Sequence, residues 1–340
     1  MMPGLADEGE GFAQPILPRG DPFKPGPDVP RGYVQVLSKA GQTAPASGSG
    51  RRELAEIIAD PKNPLTARVM VNRVWQWVFG RGLVATPDDF GHLGEKPSHL
   101  DLLDHLSARF INYGWSVKAL VRSLVLTRAF QGAAAGSAPA HERDPENILL
   151  SHFPARRMEA EVIRDSLLKV SGRLDPTLCG TSIHPYREKA DPEKRLFTGP
   201  LDGEGRRSLY LKSQLMEAPH FLRAFNLPGG KVTQGRRDAS NAPAQSLAML
   251  NDPFVIAMAE RWSDALVRDG ASSVPGRVDR MFRTALSRPP TAAELGHFGE
   301  TLRELADAQG VAEQDLLKSR ALWKDAAHLM FNMKEFIFVP

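Results

Sequence analysis

The sequence predicts a mainly α-helical, multi-helix globular domain with a proline-rich N-terminal arm and a small β-containing insertion. Three observations carry this. Apolar residues recur at i, i+3, i+4 and i+7 in successive stretches after residue 50, the period of a helix with one face in a core. Capping residues stand at the ends of those stretches. Pro15, Pro18, Pro22, Pro25, Pro27, Pro30 and Pro45 crowd the first fifty residues, where they defeat helices. With 42% hydrophobic and 24% charged residues over 340 positions, the chain has the composition of a folded protein and the length for a sizeable core.

Residues 1–50 are expected as an extended arm with an edge strand at Tyr33–Leu37, and residues 51–340 as a single helical domain. Arg51–Ala59 is a first short helix, stopped by Asp60-Pro61. Asn63 is a good N-cap for the next, with Pro64 at the first helical position, where its missing N–H is harmless. In that helix, Leu65–Phe79, Val71, Val74, Trp75 and Val78 hold the apolar spacing, and Met70 and Trp77 widen the face. Gly80 or Gly82 ends it. Ser98 with Asp101 resembles a capping box for a helix reaching Asn112 and ended by Gly114. Trp115 and Leu120 flank a Ser116 cap at the spacing of a hydrophobic staple, opening a helix to Thr127. Gln131–Pro139 is low in complexity and reads as a loop.

Arg157–Val170 is helical up to Gly172. From 174 to 241 the texture turns to Gly, Pro and charge, and Ser208–Lys212 alternates as a strand does. Helices resume at Pro243–Leu250, at Pro253–Val267 behind an Asp252 cap, around Val278–Ala285, from a Thr291/Glu294 cap to Ala308, and at Glu313–Met333. Val71-Asn72-Arg73-Val74-Trp75 also resembles Val278-Asp279-Arg280-Met281-Phe282, and the Pro97-Ser98 cap resembles Pro290-Thr291. A duplicated three-helix unit over 65–130 and 274–336 is the expectation.

Composition excludes several functions. The net charge of +3, from 43 basic and 40 acidic residues, is near-balance and gives no field for nucleic acid. No apolar run reaches the ~20 residues of a membrane span, and the N-terminus has no signal-peptide pattern. Cys179 is the sole cysteine, which rules out an intrachain disulfide and any multi-cysteine zinc or haem-attachment motif. No cofactor is expected.

The segment Asp60-Pro61-Lys62-Asn63-Pro64-Leu65-Thr66-Ala67-Arg68-Val69-Met70-Val71-Asn72-Arg73-Val74-Trp75-Gln76, closing in Phe79-Gly80-Arg81-Gly82-Leu83-Val84, strongly resembles the planctomycete-specific domain of unknown function 1553. Thr86–Gly91, Arg157–Asp165, Pro243–Leu247 and Leu250-Asn251-Asp252 agree, and the similarity runs from about Arg19 to Val339. The resemblance implies the C-terminal part of a secreted or envelope protein that often carries a signal peptide, a cytochrome-c-like domain and a second domain of unknown function upstream. This chain would then be a split or truncated member. Genes of that family often neighbour one for a sulfatase-like protein, domain of unknown function 1501, which the resemblance implies as a partner. It supplies no catalytic residues.

Candidate chemistry comes in three sets. Asp88, Asp89 and His92, beside Gly91 and Gly94, would suit a divalent metal or acid–base work, though two first-turn carboxylates at a helix start are the plainer account of them. Arginine doublets Arg156-Arg157, Arg206-Arg207 and Arg236-Arg237, with Arg51-Arg52, would clasp carboxylate, sulfate or phosphate if they converged. Their plainer use is stapling, with Arg157 one turn before Glu161 and Arg164 three residues after it. Arg68, Asn72, Arg73 and Gln76 form a polar stripe, and such a stripe more often holds the backbone of a packed loop than a ligand. The five tryptophans are expected in core faces. Other histidines form no metal motif, and there is no nucleophile elbow or phosphate loop. Two readings stay open: a non-catalytic envelope module contacting a partner protein or an anionic polysaccharide, and a metal-assisted hydrolase acting on polysaccharide.

Overall fold

A computed structural model describes residues 4, 6–7, 11–34, 37, 48–213 and 218–339. Among them are thirteen helices and two small two-stranded antiparallel sheets, so the fold is mainly helical. The chain divides into two compact units, residues 1–153 and 154–340.

In the first unit the arm folds back on itself, Gln14–Pro15 (β1) pairing with Asp28–Val29 (β2). The strand expected at Tyr33–Leu37 falls partly outside the described residues, and Leu37 N–H closes a turn on Val34 C=O at 3.0 Å. α1 (Arg51–Ala59) ends as expected before Asp60. Asn63 caps the entry to α2 (Thr66–Phe79), its Oδ1 accepting from Leu65 N–H at 2.9 Å and Thr66 N–H at 3.3 Å. Gly80, at φ 88°, takes the left-handed turn that closes α2.

α3 (Leu100–Asn112) does not form the Ser98/Asp101 capping box. Ser98 instead gives both its N–H, at 2.8 Å, and its hydroxyl, at 3.2 Å, to Leu83 C=O, so its oxygen serves the loop and not the helix. α4 (Val117–Val125) does keep its Ser116 cap. The stretch expected as a loop to Pro139 gives way at Ser137, whose side chain caps α5 (Ala138–Arg143) with Pro139 in its first turn. α2, α3 and α4 pack pairwise. Val71, Val74, Phe79, Leu103, Phe110, Leu120 and Leu124 form their core.

The second unit opens on a strand where a helix was expected: Arg156–Arg157 (β3) pairs with Phe338–Val339 (β4), and α6 starts only at Ala160, running to Val170. The 174–241 stretch contains no paired strand among its described residues. Ser208–Tyr210 is a 3-10 turn, and the β content shrinks to isolated bridges such as Ile183 to Leu211. Only Ser208 of the alternating residues is buried, and Leu209 is 76% exposed, so the alternation covers no sheet face. The short α7 (His220–Ala224) precedes α8 (Pro243–Asn251), α9 (Pro253–Arg268), α10 (Val274–Leu286) and α11 (Ala292–Gln309). Asp252 caps α9 through Phe254 N–H at 2.9 Å, and Thr291 with Glu294 forms a full capping box on α11. The expected last helix, Glu313–Met333, is broken at Ser319, which caps α12 (Arg320–Asn332) and leaves a separate turn at Glu313–Asp315; α13 (Lys334–Ile337) follows after an extended Met333.

α12 lies along α9, with Trp262 and Phe331 stacked at 5.2 Å. Trp323 is fully buried, its Nε1–H bonded to Leu316 C=O at 2.8 Å and the Arg277 guanidinium 4.7 Å over its ring. Of the five tryptophans, Trp262 and Trp323 are core residues, but Trp77 is 55% exposed on the outer side of α2. It stands one heptad from Met70, away from the Val71–Val74 seam.

Candidate functional site

The polar stripe of α2 is used for construction. Asn72, fully buried, donates to Val84 C=O at 3.0 Å and accepts from Val84 N–H at 2.8 Å, so one side chain replaces a strand partner for the loop after α2. Gly82 belongs to the same contact: a β-carbon there would come within 2.5 Å of Val84 O and 2.8 Å of Asn72 Nδ2. Arg68 binds Asp104 on α3 at 2.6 Å and Pro64 C=O at 2.7 Å, which raises the Arg68 pKa through the Asp104 hydrogen bond. Gln76 is buried and its carbonyl accepts from Gly80 N–H at 2.7 Å. Arg73 reaches Asp88 at 3.5 Å, joining two of the sequence-derived sets.

Asp89 turns inward to its own loop. Its carboxylate accepts from Gly91 N–H at 2.8 Å and its carbonyl from Thr86 hydroxyl at 2.8 Å. Gly94 lets the loop close, since a β-carbon there would meet Asp89 O at 2.1 Å. Asp88 and His92 are exposed. Among the described residues no group of three His, Cys, Asp or Glu side chains gathers where a metal could be held.

The arginine doublets are engaged one residue at a time. Arg157 binds Ser240 C=O at 2.7 Å, Phe225 C=O at 3.2 Å and Asn226 Oδ1 at 2.8 Å. It is Arg237, not Arg157, that takes Glu161, in a bidentate pair at 2.6 and 3.0 Å, with Glu159 at 3.3 Å. Burial lowers the pKa of Arg156, with the charge of Glu159 opposing, and the same Glu159 pairs with Arg237. Arg206 binds Cys179 C=O and lies 4.0 Å over the Tyr210 ring, while Arg207 holds Asp165 at 3.1 Å. Arg236 is exposed. Arg164 binds Arg206 C=O at 2.9 Å and Asp202 C=O at 2.8 Å, and its burial pushes its pKa down to about 10.

What these loops enclose is a cleft of about 850 Å³ in the second unit, which no spacing in the sequence announces. Its floor is apolar, with Leu201, Phe221, Leu222 and Phe254. Arg164, Arg187, Lys189 and Arg223 supply positive charge, against Glu188 and Asp252, and His220 stands among them. Burial raises the Asp252 carboxyl, with Phe254 N–H and the charge of His220 pulling the other way. Lys189 and Arg223 are exposed and have no ion-pair partner among the described residues. Five lining residues, Arg164, Ala244, Leu247, Asn251 and Asp252, come from segments that carry the resemblance given above. His220, Arg187, Lys189 and Arg223 had no sequence signal, because separate loops bring them together.

Fold and site define a helical protein with a mostly apolar cleft in its second unit, lined by more basic than acidic side chains. Residues 50–302 match the family model PSD1, described as Protein of unknown function (DUF1553), and the chain belongs to that family. The match is narrower at both ends than the resemblance from Arg19 to Val339. No curated protein and no solved structure matches the chain. No helix among the described residues is long and apolar enough to cross a membrane.

Proposed function

We propose that the chain is a non-catalytic binding module of the cell envelope whose second-unit cleft takes an anionic polysaccharide. The observation that supports this is the cleft lining, four basic side chains over an apolar floor, two of them exposed and without an ion-pair partner among the described residues. Guanidinium and ammonium groups bind sulfate and carboxylate, and the exposed Tyr186 ring beside Arg187 offers a face for a sugar. The reading places anion binding in the cleft and gives the arginine doublets to the frame. A sulfatase-like partner of domain of unknown function 1501 fits a sulfated ligand in chemistry, and co-purification of the two proteins tests it. A glycan array carrying sulfated, uronic and neutral polymers tests the ligand class. Signal confined to charged polymers is expected, and equal signal on neutral ones rejects it.

A metal-assisted hydrolase acting on polysaccharide is the second reading, favoured only by Asp252 and His220 sharing the cleft. Release of reducing ends from an acidic polymer, abolished by Asp252→Asn, would establish it.

We also infer that α2–α4 and α10–α12 are copies of one three-helix unit. Both sets pack pairwise, and Val71 and Val74 are buried as Val278 and Met281 are. Superposing residues 65–130 on 274–336 tests this: equal handedness is expected and opposite handedness refutes it.

A further inference from the structure

We propose that the β1–β2 hairpin of the arm is a dimerisation surface, and that what covers it is the same hairpin of a second copy of this chain. The hairpin lies in the first unit, and the inference is independent of the cleft reading. Its base is tied down: Gly11 N–H and the Arg31 guanidinium both donate to Gly48 C=O, at 3.1 and 2.8 Å, and Asp7 pairs with Arg51 at 2.6 Å. Ile16 N–H to Pro27 C=O at 3.0 Å and Gly26 N–H to Ile16 C=O at 2.8 Å carry the pairing on towards the turn at Pro18–Gly20. Yet no residue from 11 to 34 is buried. A two-stranded hairpin without a core is marginal in water, and one that holds large apolar side chains outward calls for cover.

Register gathers those side chains. Gln14 stands opposite Val29, so Phe12 and Ile16, two residues either side of Gln14, share a face with Val29. Phe12 is 69% exposed, Ile16 and Val29 are about half exposed, and Phe23 beyond the turn is 91% exposed. At ~200 Å² for a whole phenylalanine side chain and somewhat less for the aliphatic ones, these four leave on the order of 500 Å² of apolar area open. A standard interface takes ~800 Å² from each partner, roughly 60% of it apolar, so the hairpin supplies the apolar share of a dimer. Its other features select a like face as the cover. Pro15, Pro18, Pro27 and Pro30 interrupt both edges, so no continuous ladder can be added and contact is made by side chains. Arg19 and Gly20, at φ 58° and 75°, fold the chain back, so the prolines form no continuous polyproline strip for a groove. Arg19 and Lys24 lie towards the turn and Asp28 on β2, and none of the three has an ion pair among the described residues. Two hairpins packed antiparallel about a two-fold axis set each Asp28 against Arg19 and Lys24 of the other copy.

Sedimentation velocity of the full chain from about 1 to about 100 µM tests this, and a dimer is expected to form within that range. Phe12→Ser combined with Phe23→Ser removes the two largest side chains of the face. Both are exposed, so the fold is kept, and the variant is expected to stay monomeric with an unchanged circular dichroism spectrum. Leu126→Ser, at an exposed leucine elsewhere in the unit, should leave the dimer as it is. Asp28→Lys should weaken the dimer at least about tenfold, and adding Arg19→Glu and Lys24→Glu should restore it, because the exchanged charges again face their opposites. A chain that stays monomeric throughout, a dimer that survives the phenylalanine variant, or a charge reversal without rescue overturns the proposal.

Discussion

Asn72 makes the most consequential polar contact in the first unit, because both halves of its amide are committed to one residue, Val84. Replacing it with alanine strands a buried N–H and a buried C=O. Asn72→Ala should therefore lose about 2–3 kcal/mol in urea denaturation; a loss under about 0.5 kcal/mol would mean the loop is held elsewhere. Arg288 plays the matching part in the second unit, with bonds to Glu294 at 2.6 and 2.9 Å and to Glu335 at 2.5 and 2.7 Å. Its hydrogen bond holds the Glu294 carboxyl down at about 2 against an ordinary 4.5. A depressed carboxyl stabilises the fold above its unfolded pKa, and that stabilisation is lost as pH falls from about 4.5 towards 2. Glu294 is 29% exposed, so solvent screening leaves about 1 kcal/mol. Glu294→Gln should flatten the pH dependence of stability in that window, seen as melting curves that converge with wild type near pH 2.

Two similar cap motifs separate what sequence shows of an element from what it hides. Thr291 and Glu294 read as a capping box and are one, while Ser98 and Asp101 read alike and are not, since Leu83 C=O claims the Ser98 hydroxyl. Thr291→Ala should cost about 1 kcal/mol and Ser98→Ala under about 0.5 kcal/mol by thermal melting. Equal losses would contradict this assignment. Helix starts at Ser116, Asp252 and Asn63 were legible because a cap and its target lie within a few residues. The β3–β4 pair was not, because Arg156 and Val339 stand at opposite ends of the second unit's sequence and no local pattern joins them. Likewise the break before Arg320 depends on Ser319, a small residue with no periodic mark, and α13 on the extended backbone of Met333.

Two separate cores govern the whole chain. The first-unit core runs from Ala67 to Phe153 and the second-unit core from Ala160 to Phe336, with no buried residue shared. Phe110→Ala should cost about 3–5 kcal/mol in the first unit. Hydrogen exchange should then quicken in α2–α4 while the α9 and α12 amides keep their protection; equal quickening throughout would show one cooperative unit. The mainly helical class was legible in periodicity, and the four-residue spacing of Arg68, Asn72 and Gln76 was visible, whereas the bond from Asn72 to Val84, twelve residues on, was not. The cleft was not legible, since its basic residues stand on three separated segments, 187–189, 220–223 and 164, and no local pattern joins them.

That cleft is best tested by titrating the full chain with a sulfated or uronic oligosaccharide at two ionic strengths, beside the double variant Lys189→Glu, Arg223→Glu. Saturable binding that weakens with salt and drops at least about tenfold in the variant, with the melting temperature unchanged, is the predicted result. Binding of equal strength in wild type and variant, or none to either, would contradict it.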